Sequence, residues 1–183
     1  MKFHTKFYAG VLAYDIQFYL NFLINKERLI EEDDFNFKLK KFLLSERDAR
    51  NRPKEFKKRK PKSKYEGNAG SLRVLSRIVT MLLTSVLDQS KVGPLLIKLQ
   101  EVAELITAPK LTVDEIDDIL GFTIKEYLGM RVDAIDELGM DNLRPKHHYL
   151  SHYSKFYKEN GPLIQLWAMR MESKHVFFKN VIR

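Results

Sequence analysis

His148 and His152 lie four residues apart, so on a helix they project from one face, and Glu172 and His175, three apart, would do the same on the next. Together these four side chains could ligate a zinc or iron ion without any cysteine. The spacing permits a metal but does not demand one. A carboxylate-bridged di-metal bundle needs Glu-x-x-His on two helices, and only Glu172 to His175 fits. Polar contact between neighbouring helices is the competing use, so neither a metal nor another cofactor is expected.

Other catalytic patterns are weaker. Glu172 is a candidate acid, but Asp114, Glu115, Asp117 and Asp118 crowd a helix start, where carboxylates favour the helix dipole and need no active site. Ser151 beside His152, or Ser173 near His175, lacks the Gly-x-Ser-x-Gly turn that exposes a nucleophile. No glycine-rich phosphate loop occurs.

Charge is more informative. The formal net charge is +8, and ten bases fall between Arg47 and Lys64: Arg47, Arg50, Arg52, Lys54, Lys57, Lys58, Arg59, Lys60, Lys62 and Lys64. Only Asp48 and Glu55 oppose them there, so the rest of the chain is balanced. The run Lys57 to Lys62, interrupted by Pro61, has the density of a nuclear import signal, which the flanking arginines could make bipartite. Such a run also attracts phosphate backbones through counterion release, with little sequence choice. Bases and aromatics interleave again from Tyr149 to Lys158, but Tyr149, Tyr153 and Phe156 share a helical stripe and are read as core.

The elements that must position these residues read as helices throughout. The chain has 183 residues, 44% apolar, enough for one core, and no cysteine, hence no disulfide or thiolate metal site. An apolar helix is expected from about Phe7 to Ile30, with Asp15 arguing against a signal peptide. A second, capped by Asp33 or Asp34, runs to Leu44. Residues 45–70, with two prolines and two glycines, read as an exposed, mobile basic linker. Ser71 is the expected cap of the next helix, Gly93-Pro94 starts another that Pro109 ends, and Thr112 with Glu115 makes a capping box before a helix to about Met130. A helix from Pro145 to Tyr157 and a last one from Gly161 to about Lys179, holding Trp167, complete an all-α single domain over residues 1–183. It is expected to be an irregular bundle of six or seven helices, soluble and not membrane-bound.

The segments Pro145-Lys-His-His-Tyr-Leu150, His152-Tyr153, Gly161-Pro-Leu163, Leu166-Trp167, Met169-Arg170 and Glu172-Ser-Lys-His175 resemble the C-terminal signature of animal transposase-like proteins related to CACTA-type cut-and-paste transposases. Gly10-Val11, Tyr14-Asp15 and Ala108-Pro109 match the same family in order. The resemblance implies a relationship to ribonuclease-H-like DDE enzymes, whose three acids hold two divalent ions. It puts Glu172 in the place of the last acid, Lys6 and Ala9 where an Asp and a Glu belong, and the first acid with its strands upstream of Met1. One carboxylate cannot hold two Mg²⁺ ions, so what the resemblance implies is a vestigial Glu172 and no catalysis.

The leading expectation is a catalytically inactive, transposase-derived nuclear protein, with nucleic acid and the import machinery as candidate partners of residues 47–64. One alternative is a protein-interaction module whose basic segment only targets it to the nucleus. Another is a decayed transposase fragment without selected function.

Overall fold

The computed structural model describes residues 7–60 and 62–163, and these form eight helices and no strand. The chain is all-α, as its periodicity predicts. Helix α1, Phe7–Asn25, opens with a wide π-type turn over Phe7–Leu12 and buries Leu12, Ile16, Tyr19, Leu20 and Leu23. It ends before the expected Ile30 because Lys26-Glu27-Arg28 interrupts the apolar run, Arg28 taking a left-handed φ of 54°. Helix α2, Glu32–Lys41, starts after Glu31, so Asp33 and Asp34 sit in its first turn rather than at its cap. It stops short of Leu44 because Phe42 is extended.

A single-turn helix α3, Glu46–Ala49, capped by Ser45, lies within the basic linker. Helix α4, Ala69–Leu87, is capped by Asn68, whose side chain accepts from the Ser71 N–H at 2.8 Å; Ser71 itself is inside the first turn. Its buried face, with Leu72, Leu75, Val79, Leu82 and Leu83, is the amphipathic stripe its spacing predicts, each side chain contributing about 1.5–3 kcal/mol on burial. Both α1 and α4 are long and apolar enough to cross a membrane, but 72% and 61% of their apolar windows are buried inside the fold.

Helix α5, Gly93–Thr107, turns back on α4. A β-carbon on Gly93 would lie 2.0 Å from the Leu87 carbonyl oxygen, so only glycine permits this tight return. Glu27 braces the turn from α1, accepting from the Ser90 hydroxyl at 2.5 Å and the Lys91 N–H at 2.8 Å. Helix α6 covers 113–138 and begins with the Thr112/Glu115 capping box. It continues past Met130 because Arg131 and Ala134 are still on its buried face, and it closes on Gly139, whose φ of 71° suits glycine.

The expected single helix over 145–157 is two, α7 at Pro145–Leu150 and α8 at Tyr153–Asn160, separated at Ser151-His152. Division of this helix and addition of α3 account for the count of eight. The expected final helix, with Trp167, Glu172 and His175, lies outside the described residues.

Candidate functional site

The basic segment is not the free linker its composition suggests. Pro53, Phe56 and Tyr65 are buried anchors, and the rings of Phe56 and Tyr65 face each other at 6.2 Å. Side-chain amides fasten its backbone. Asn36 of α2 brackets Phe56, accepting from its N–H at 2.7 Å and donating to its carbonyl at 2.9 Å. Gln17 and Asn21 of α1 donate to the carbonyls of Lys57 at 3.1 Å and Arg59 at 3.3 Å. The Ser63 N–H then bonds back to the Lys60 carbonyl at 3.2 Å, Lys62 has φ 70°, and the Tyr65 N–H reaches the Ala13 carbonyl at 2.8 Å. Polar residues scattered over α1 and α2 thus hold this backbone, a signal that local composition does not carry.

The ten bases have different positions. Arg52 donates to the carbonyls of Leu39, Lys40 and Phe42 at 3.1–3.3 Å, placing its charge at the C-terminus of α2. Arg59 pairs with Glu66 at 2.6 Å, which holds the exposed Glu66 carboxyl below its ordinary pKa. Arg47, Arg50, Lys54, Lys57, Lys58, Lys60, Lys62 and Lys64 are exposed, and among the described residues none of them has an ion-pair partner within 4.0 Å. The strap therefore displays its cations on a fixed backbone.

Behind the strap lies a buried polar cluster. Asp15 of α1, 1% exposed, receives Arg131 Nε of α6 at 3.2 Å from both carboxylate oxygens and His147 Nε2 of α7 at 3.0 Å. The Tyr127 hydroxyl donates to the same carboxylate, and the Tyr19 hydroxyl meets that of Tyr127 at 3.2 Å. His147 Nδ1 accepts the Arg144 N–H at 3.0 Å, which puts the ring proton on Nε2, where it is donated to Asp15. Burial alone would raise the Asp15 pKa, but the hydrogen bond from His147, the Arg131 charge and the Tyr127 hydroxyl outweigh it and hold the carboxyl below its ordinary value. Burial, then the Asp15 charge, pushes Tyr19 and Tyr127 well above the ordinary tyrosine range. Arg131 Nη1 also donates to the Asp141 carbonyl at 2.9 Å, so the cluster ties α1, α6, α7 and the loop after α6 together.

Outside this cluster is a cleft of about 60 Å³ among Tyr14, Phe18, Asn21, Lys60, Lys62 and Arg144. It holds on the order of a few waters, not an enclosed metabolite. The Arg144 guanidinium lies 3.7 Å from the centre of the Tyr14 ring and pairs with Asp141 at 3.0 Å.

Of the four candidate ligands, only two lie among the described residues. His148 and His152 do share a face, their Nε2 atoms 3.2 Å apart, while Glu172 and His175 lie outside the described residues. Among the described residues no group of three metal-ligating side chains forms. Of the aromatic stripe, Tyr153 is buried whereas Tyr149 and Phe156 are half-buried. Ala9, in the first turn of α1, packs against the core.

Asp15, Arg131 and His147 escape sequence reading as a site, although the sequence signals two of them. Asp15 is the only acid between Phe7 and Asn25, in the apolar first helix, and Arg131 falls on the buried stripe of Ile124, Tyr127 and Ala134. Compared with protein families, curated proteins and solved structures, the chain matches none.

Proposed function

We propose that this chain is a non-catalytic, transposase-derived nuclear protein that binds nucleic acid through the strap, without base specificity. The observation that carries the binding is the outward display of Lys54, Lys57, Lys58, Lys60, Lys62 and Lys64 on a backbone pinned by Gln17, Asn21 and Asn36. Fixing the backbone beforehand lowers the ordering cost of binding, and exposed lysines meet phosphates without first breaking ion pairs. Transposase ancestry rests on the resemblance of the 145–175 segment, and nuclear entry on the Lys57 to Lys62 run.

Fluorescence anisotropy with a short random duplex tests the binding. Each phosphate contact lowers the slope of log affinity against log salt by about 0.9, so changing Lys57, Lys58, Lys60 and Lys62 to Ala is expected to flatten it by about 3 to 4. Unchanged affinity and slope would refute the reading. They would favour the protein-interaction alternative, which has one observation behind it: the exposed apolar groove of Phe37, Phe42, Leu43 and Met81 between α2 and α4. Strand cleavage in Mg²⁺ that disappears on Glu172→Gln would overturn the non-catalytic assignment.

A further inference from the structure

We infer that the strap and the adjoining edge of α1 form one seat for single-stranded nucleic acid, phosphates running along the strap lysines and bases stacking on the aromatic ridge of α1. The inference rests on the nucleic-acid reading above and specifies which form of the polymer the surface takes.

Tyr14, Phe18 and Phe22 recur at every fourth position of α1, and all three are half-buried, while Asp15, Ile16, Tyr19, Leu20 and Leu23 between them are buried. The core therefore consumes the other faces of the helix and leaves a row of part-exposed aromatic rings. Phe18 and Phe22 are stacked, ring centres 5.9 Å apart and planes 27° from parallel. At 1.5 Å per residue the ridge is about 12 Å long, the span of roughly three bases stacked at 3.4 Å.

Cations border this ridge. Lys60 and Lys62, at the turn of the strap, line the same cleft as Tyr14 and Phe18, and Arg144 covers the outer face of Tyr14. Two carboxylates line the cleft, and both are already engaged: Asp141 pairs with Arg144, and the buried Asp15 with Arg131 and His147. A positive groove beside part-exposed aromatic rings is the combination that binds unpaired strands, because every base offers a face to stack, and Phe18 and Phe22 are the rings not covered by Arg144. A duplex keeps those faces inside its own stack and presents phosphates and groove edges alone, so the ridge would add nothing to duplex binding. The small cleft suits bases lying on the rings rather than one enclosed by a pocket. Half-buried rings at a helix edge also lack the reach to enter a bilayer by the roughly 5–10 Å that interfacial anchoring requires.

The test measures anisotropy of the full chain with labelled oligothymidine and oligouridine of about 20 nucleotides and a duplex of equal length, at one salt concentration. Sedimentation with phosphatidylserine vesicles is run alongside. Single strands are expected to bind more tightly than duplex, and Phe18→Leu, which keeps an apolar side chain but removes the ring, to weaken them by about fivefold or more while sparing the duplex. Phe22→Leu provides a second variant, and a native-like circular dichroism spectrum qualifies each. Single-strand affinity unchanged in the ring variants, or duplex bound more tightly, overturns this inference; if binding still depends on the strap lysines, the broader nucleic-acid reading survives. Binding to vesicles alone, or to nothing, overturns both.

Discussion

Replacing Asp15 by Ala removes the acceptor shared by Arg131, His147 and Tyr127, and its cost can be worked from the geometry. Arg131 is 1% exposed and, among the described residues, would keep only the Asp141 carbonyl as a partner for its charge. An uncompensated buried charge of this kind costs about 3–5 kcal/mol, against a total stability of about 5–15 kcal/mol for an ordinary domain. Urea unfolding followed by far-ultraviolet circular dichroism reads the change: with a slope of about 2 kcal/mol per molar, the midpoint falls by about 2 M. The double variant Asp15→Leu with Arg131→Met removes both charges and is expected to recover much of that loss. Because the folded state holds the Asp15 carboxyl below its ordinary pKa, the unfolded chain takes up its proton first on acidification. The contribution of Asp15 is therefore complete above about pH 4 and is lost as pH falls through the lower folded value, so the double variant has the flatter acid limb. A midpoint shift below about 0.5 M for Asp15→Ala, on the order of 1 kcal/mol, refutes the assignment of Asp15 as the electrostatic centre of the fold.

The pinned strap and the closure of α6 each give a further expectation. Asn36→Ala releases both backbone bonds of Phe56 and is expected to speed limited trypsin cleavage after Lys57 to Lys60; wild-type cleavage already at the rate of an unfolded peptide would contradict the pinning. Gly139→Ala forces a β-carbon into a left-handed conformation at a cost of about 1–2 kcal/mol, read as a lower thermal midpoint.

Some helix starts were legible from local signals, although the caps of α2 and α4 fall two or three residues before Asp33 and Ser71. Thr112 acts through Glu115, three residues on, and Pro94 through the first turn in which it stands, and both fall where their patterns place them. The ends of α1 and α6 were not, because they depend on whether Arg28 leaves the helix and whether Arg131 finds Asp15 across the fold. The basic segment was legible as charge but not as structure. Its order comes from Asn36, Gln17 and Asn21, ordinary polar residues 20, 40 and 38 positions from the carbonyls they hold. His147 was overlooked in favour of His148 and His152 because spacing selects pairs on one helix, whereas its partner is on another, 132 residues away.

That separation bears on the order in which the molecule is assembled. Asp15 meets Tyr127, Arg131 and His147 at distances of 112, 116 and 132 residues along the chain, so on a ribosome its helix emerges long before any group able to compensate its charge. Until then, docking α1 would bury an unpaired carboxylate, a penalty that disfavours premature collapse of this apolar segment. The cluster thus makes completion of the N-terminal helix wait for the C-terminal third. Truncation ahead of Tyr127 would remove every partner of Asp15 and leave α1 undocked, an apolar surface for chaperones and proteases to recognise.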